Sequence, residues 1–186
     1  ISTAGVPNYF GPQRFGRDGA NLDRIGTPLH PGERGFVLSA ARSLVFNAVL
    51  AERVTEGSWR TLEAGDVANL DARGSIFAVE AVDEVLRGRA AQLEIHPTGP
   101  MWGQGEPATA GRIRELEQRI AASFPEACVL VSEAGMKQER RALRLAVREL
   151  RWQRAAADLH VAFRLPRGSF ATTVLREILA DTTGGD

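Results

Sequence analysis

The chain has 186 residues, 44% hydrophobic and 25% charged, and its 23 basic and 23 acidic side chains balance to zero net charge. That is enough chain for one large or two small cores, with the composition of a soluble globular protein and no overall basicity to mark a nucleic-acid binder. No apolar run approaches about 18 uninterrupted residues, and the amino terminus has neither a basic nor an apolar signal region, so no membrane span is expected and a cytoplasmic location is.

Residues 1–33 are rich in Gly, Pro, Asn and Arg and read as an ordered loop or strand-and-turn region. The chain opens on Ile, and its first residues are already dense with unusual sequence, which reads as a piece cut from something longer. A helix is predicted from Gly35 to about Val54, with Val37, Ala41, Leu44, Val45 and Ala48 on one face and Gly57-Ser58 closing it. Residues 59–94 mix short apolar runs with acids, and Val79–Leu86 fits a short helix. The run His96-Pro97-Thr98-Gly99-Pro100-Met101-Trp102-Gly103 carries two prolines and cannot be helical. Thr109 reads as the N-cap of an amphipathic helix through Ile113, Leu116, Ile120 and Phe124, which Pro125 ends. From Asp158 to Pro166, Leu159, Val161, Phe163 and Leu165 alternate with other residues as in a half-buried strand. A Pro166-Arg167-Gly168 turn follows, then a helix capped by Ser169 that carries Val174, Leu175, Ile178 and Leu179 and frays at Thr182–Gly185.

Charge is unevenly distributed. Lys137, Arg140, Arg141, Arg144, Arg148, Arg151 and Arg154 face only Glu139 and Glu149 in their segment, whereas acids dominate from Glu63 to Glu94. One end of the molecule is thus suited to phosphates. Cys128 has no partner for an internal disulfide and reads as a buried structural thiol. His30, His96 and His160 have no Cys, His or carboxylate at ligand spacing, so no metal site is expected. Glycines 11, 16 and 19, like 103, 105 and 111, lack the Gly-Lys-Ser/Thr of a phosphate loop, and there is no Gly-x-Ser-x-Gly elbow. Ordinary kinase, dehydrogenase and hydrolase chemistry therefore has no support.

What remains is the stretch Val6–Asn21, Val6-Pro7-Asn8-Tyr9-Phe10-Gly11-Pro12-Gln13-Arg14-Phe15-Gly16-Arg17-Asp18-Gly19-Ala20-Asn21. Aromatics interleaved with amides and arginines offer stacking faces, amide edges and phosphate donors, as unstacked RNA bases require. The alternative is a glycine-rich turn whose aromatics plug a core. This run resembles the signature of the TruD family of tRNA pseudouridine synthases. So do His96–Gly103, Gly135–Leu145 (Gly-Met-Lys-Gln-Glu-Arg-Arg-Ala-Leu-Arg-Leu) and Leu165–Glu177, four matches in family order.

The resemblance implies an α+β fold: part of an antiparallel-sheet pseudouridine synthase catalytic domain with an inserted TruD-specific α+β domain. Residues 1–30 would belong to the catalytic domain, 31–138 to the insertion, and 139–186 to the return of the catalytic domain. It implies a cofactor-free isomerisation of uridine in tRNA, at position 13 of the D-arm, by one nucleophilic aspartate. By motif correspondence Phe10 would stack on the target base, Phe170 would lie on another side of the pocket, and Asn8 would orient the aspartate or the base. Gln13 and Arg14 would supply hydrogen-bond and phosphate contacts. Arg140 and Arg141 would touch the RNA backbone, unless they line a solvated helix face. The family's aspartate lies upstream of the Asn-Tyr-Phe motif, so it is expected in a missing amino-terminal part of the same protein. Asp18 is read as a turn former. The partners implied are tRNA and that missing part, with a monomer expected. A non-catalytic RNA-binding or scaffold module, or an inactive truncated fragment, is the alternative reading.

Overall fold

The structure, a computed structural model, describes residues 1–71, 73–156, 158–166 and 168–179. Its spine is helix α1, Pro31–Thr55. The helix starts earlier than its apolar periodicity indicates. Pro31 has its backbone angle already set for a first turn, and His30 and Glu33 form a reciprocal capping box. By length and apolar content α1 could cross a bilayer, but half of its most apolar window is buried inside the protein. Its buried residues include Val37, Ala41, Val45, Phe46, Val49 and Leu50. They contact strand β4 (Ile95–Met101) and helices α3 (Gly111–Ala121) and α4 (Pro125–Glu133). Two arginines lie within this apolar face. Arg53 pairs with Asp66 at 2.9 Å, with side chains 1% and 0% exposed. Arg42 donates to the Met101 and Lys137 carbonyls.

Beneath α1 lies a four-stranded antiparallel sheet in the order β3-β2-β4-β5, built from β2 (Val67–Leu70), β3 (Ile76–Ala78), β4 and β5 (Glu139–Ala142). β4 is the non-helical run expected at His96–Gly103, here a central strand. Its prolines are tolerated because neighbouring strands use its carbonyls: Leu143 N donates to Pro97 O. Gly99 faces the core, where a Cβ would meet Leu143 Cδ2 at 2.8 Å and Phe46 at 3.1 Å. Leu143 joins the sheet to the amino terminus, since its carbonyl accepts from Asn8 N at 2.8 Å. Alongside, β1 (Val6–Pro7) pairs with β6 (Arg144–Leu145). Strands β7 (Arg148–Ala155) and β8 (Asp158–Arg164) form an antiparallel hairpin against α5 (Ala171–Leu179), where Leu150, Phe163, Leu165 and Ile178 join Val6, Leu145, Val147 and Val174.

Several local expectations are corrected. The short helix is not Val79–Leu86 but α2, Glu84–Ala91, because the Asp83 side chain accepts from Leu86 N and fixes the start there; Val79 is buried beside β2 instead. Thr109 does not cap α3. Ala110 flanks the helix, and the Thr109 hydroxyl donates to Glu117 Oε2 in the buried interior. α3 does not run on to Phe124 but ends at Ala121, and Pro125 opens another helix, α4, at its first turn. Cys128 lies on α4 half-buried, with burial pushing its thiol up to about 11. Arg140 and Arg141 sit on strand β5, so the solvated helix face is excluded. α5 begins two residues beyond Ser169, with Phe170 flanking it. On β8, Val161 and Phe163 are half-buried as the alternation indicates, but Leu159 is exposed near the hairpin's closed end, opposite Arg154. Arg167 of the predicted turn and the Thr182–Gly185 fraying lie outside the described residues.

Candidate functional site

The Asn8–Phe10 segment is gripped from three directions. Asn8 Nδ2 donates to Ala142 O at 2.8 Å, tying it to β5. Asn47, midway along α1, clamps Phe10 by its backbone: Phe10 N donates to Asn47 Oδ1 and Asn47 Nδ2 donates to Phe10 O, each at 2.9 Å. From α5, Thr173 Oγ1 donates to Tyr9 O at 3.1 Å. A half-buried amide making two backbone bonds holds its ring neighbour to one position. The sequence gives no hint of Asn47, which looks like any polar residue in a helix.

Phe10 is 6% exposed and belongs to a cluster with Phe46, Leu50 and Leu143, against which Phe170 packs. Its ring meets Phe46 edge-on at 5.4 Å and lies 6.1 Å from Phe170, tilted by 59°. The structure therefore joins residues from both ends of the chain, as the motif correspondence implies, and it also satisfies the core-plugging alternative, because the ring is packed. Gln13 and Arg14 lie on a single 3-10 turn, Pro12–Arg14. Gln13 is exposed, its side chain folded back over Gly11. Arg14 donates to Ser39 Oγ at 2.6 Å and places its guanidinium 5.1 Å from the Phe10 ring centre and 5.6 Å from that of Phe170.

The two arginines of β5 have separate fates. Arg140 turns inward and grips Glu117 of α3 with both terminal nitrogens, at 2.9 and 2.7 Å, while donating to Thr98 Oγ1 and Thr98 O. The side chains of the pair are 4% and 1% exposed. Arg141 turns toward Phe10. Its guanidinium carbon sits 4.2 Å above the ring centre and Nη2 donates to Asn8 Oδ1 at 2.8 Å. Burial, and to a lesser extent Arg14 nearby, lowers its pKa to about 10.

Asn8, Phe10, Arg141, Gly168 and Ser169 line one side of a cavity of about 550 Å³. Its far side is a polar relay that sequence reasoning missed, its members being separated by tens of residues. His96, 2% exposed, accepts from Arg144 Nε at Nδ1 (3.0 Å), which leaves Nε2–H to donate to Asp71 at 2.9 Å; Asp71 also accepts from Arg148. Desolvation depresses the His96 pKa despite the Asp71 bond, so the ring is held neutral. Burial works to raise the Asp71 pKa, but the hydrogen bonds from Arg148 and His96 outweigh it and the carboxyl is lowered overall. A second cavity, of about 510 Å³, lies on the other side of Phe10, between Phe15, Asn47 and Thr173. Asp18 is exposed at its rim, in a left-handed turn (φ 54°). Among the described residues no three of His, Cys, Asp and Glu gather closely enough to hold a metal ion.

A family model described as tRNA pseudouridine synthase D (TruD) matches residues 29–178. The chain belongs to the TruD family. Curated relatives named tRNA pseudouridine synthase D include one from Nitrosococcus oceani, 44% identical over 96% of this chain and 52% of its own length. Another, from Pseudomonas aeruginosa, is 45% identical over 96% and 52%, and one from Psychrobacter arcticus is 41% identical over 97% and 51%. The chain thus spans about half the length of the curated relatives it matches. A crystal structure of a putative TruD from Methanosarcina mazei superposes with a TM-score of 0.60 at 19% identity, covering 94% of this chain and 61% of that one. The fold is therefore that of TruD, α+β with antiparallel sheets, as the motifs imply.

Proposed function

We propose that this chain supplies one wall of the uridine pocket of a tRNA pseudouridine synthase, with Asn8, Phe10 and Phe170 lining the place where the base is turned. The observation that carries this reading is that Asn8 and Phe10 line a cavity while Phe170, 162 positions from Asn8 in the sequence, packs against the Phe10 ring. The reaction breaks the bond from uracil N1 to the ribose and rejoins the base through C5. It needs a base out of its stack, which costs roughly a few kcal/mol, and an aromatic face to receive it, which returns about 1–3 kcal/mol. In this reading the nucleophilic aspartate belongs to the part of a full-length relative that this chain does not span, no cofactor takes part, and the enzyme works as a cytoplasmic monomer on the D-arm uridine of tRNA. Residues 31–138 form the inserted unit, with β4 and β5 pairing at its seam with the catalytic part. Gln13 and Arg14 face the RNA, whereas Arg140 serves the fold through Glu117.

The test uses the full-length protein and a tRNA transcript tritiated at uridine C5, because rejoining through C5 releases that tritium to water. Release is expected, and is expected to fall roughly 5- to 150-fold in Phe10→Leu, which keeps an apolar plug but loses the stacking face. Transcript binding without release from any tRNA would remove the enzymatic reading and leave a binding module.

A further inference from the structure

Arg141 is oddly placed for a residue with only a backbone-binding role. Its guanidinium lies on the Phe10 ring at 4.2 Å and 5.7 Å from the Phe46 ring centre, donates to Asn8 Oδ1 at 2.8 Å, and reaches the Gly168 carbonyl at 3.4 and 3.5 Å. Its Nε is buried and makes no hydrogen bond. Among the described residues it has no carboxylate partner, in contrast to Arg140 beside it. Within the described residues this partly buried cation is held by neutral acceptors and two rings. It is also flat, delocalised and edged with donors, which gives it the two surfaces by which a pyrimidine would be held: a face for the Phe10 ring and an edge for the Asn8 amide.

We infer that Arg141 is a resident stand-in for the target base, covering the Phe10 ring and the Asn8 amide in the RNA-free protein and withdrawing when a uracil takes its place. This rests on the uridine-pocket reading above. Two groups cannot share one ring face and one amide oxygen, so entry of the base and residence of the guanidinium are mutually exclusive. Arg141 keeps the aromatic face from collapsing onto other apolar groups. Once displaced, its charge enters the cavity lined by Arg73 and Arg144, where the phosphate of an extruded nucleotide would be met.

The experiment compares the affinity of the full-length protein for a substrate tRNA transcript and for the same transcript with an abasic ribose at the modified uridine. In Arg141→Ala the base no longer has a competitor, so its contribution to binding, read as the ratio of the two dissociation constants, rises roughly tenfold over wild type. An unchanged or smaller ratio overturns the stand-in and makes Arg141 a contact to RNA or a structural residue. A wild-type protein that does not distinguish the transcripts removes the uridine-pocket reading itself, and the inference with it. If Arg141→Ala does not fold, the wild type still decides by nuclear magnetic resonance with isotopically labelled arginine. The guanidinium signal, shifted by the Phe10 ring current, moves to a solvent-like position with the uridine transcript and stays in place with the abasic one. Displacement by both transcripts, or by neither, refutes the inference.

Discussion

Replacing Arg140 with Met should unfold the protein more readily rather than weaken its hold on RNA. Arg140 and Glu117 form a bidentate pair with side chains 4% and 1% exposed, and among the described residues the only other side-chain donor to Glu117 is Thr109 Oγ1. Removing the guanidinium leaves a carboxylate in the interior between α3 and β5 with one neutral hydrogen bond, a loss of about 3–5 kcal/mol for breaking one side of a buried pair. Against a total of about 5–15 kcal/mol this is a large fraction. With a urea dependence of about 2 kcal/mol per molar, the midpoint falls by about 1.5–2.5 M. The partner experiment is Arg140→Met with Glu117→Met, which substitutes an apolar contact for the pair and should recover most of the loss, since well-packed apolar replacements of buried pairs are near neutral. Equilibrium urea unfolding measures both, and tRNA binding below the transition should match wild type. An unchanged midpoint in Arg140→Met together with weaker tRNA binding would refute the structural assignment.

Phe10→Ala should cost about 3–5 kcal/mol, because the ring is packed against Phe46, Leu50 and Leu143, so lost activity in that variant would report unfolding as well as chemistry; comparing its urea midpoint with that of Phe10→Leu checks this. His96 is held neutral in the fold with a pKa below its ordinary 6.5. Its unfolded form therefore binds a proton first as pH falls, so stability should decline as pH drops from about 6.5 toward 5, and His96→Gln should flatten that decline in unfolding curves taken across the range. Cys128, with its thiol raised to about 11, should react with a thiol-specific reagent at neutral pH far more slowly in the native protein than after denaturation; equal rates would contradict the burial. Gly103→Ala should destabilise or displace the β4–β5 connection, because a Cβ there would meet Met136 O at 2.4 Å and Lys137 O at 2.5 Å, backbone atoms that cannot swing away; its thermal midpoint tests this.

The sequence reveals this fold where apolar spacing is clean, and hides it where polar residues serve inside. α1 and α3 could be placed because Val37, Val45 and Val49, or Ile113, Leu116 and Ile120, repeat at helical spacing. β7 could not, since Arg148–Ala155 is almost wholly solvated and shows no alternation of apolar residues to read. β4 was obscured by Pro97 and Pro100, which suggest a loop until both are seen in register with neighbouring strands and the Pro97 carbonyl is seen to accept from Leu143. At the site, Phe10 and Phe170 were legible only through motif resemblance. The basic run containing Arg140 and Arg141 gave no sign that adjacent strand residues point in opposite directions, one into a buried ion pair and the other onto an aromatic ring. The Asp71–His96–Arg144 relay was invisible because its bonds span 25 and 48 positions.

The bond from Asn8 to the Ala142 carbonyl spans 134 positions. During synthesis at about 5–20 residues per second, the amino-terminal segment must wait roughly 7–27 s after leaving the ribosome before the strand that holds it exists. Helix α1 can form, gather α3 and α4 and receive Phe10 through Asn47 in that interval, but Asn8 has no place to dock until Ala142 and Leu143 have been made. The wall beside the cavity therefore cannot be completed before β5 is made, and a nascent chain stalled before β5 would leave Asn8 and its neighbours undocked and open to chaperones.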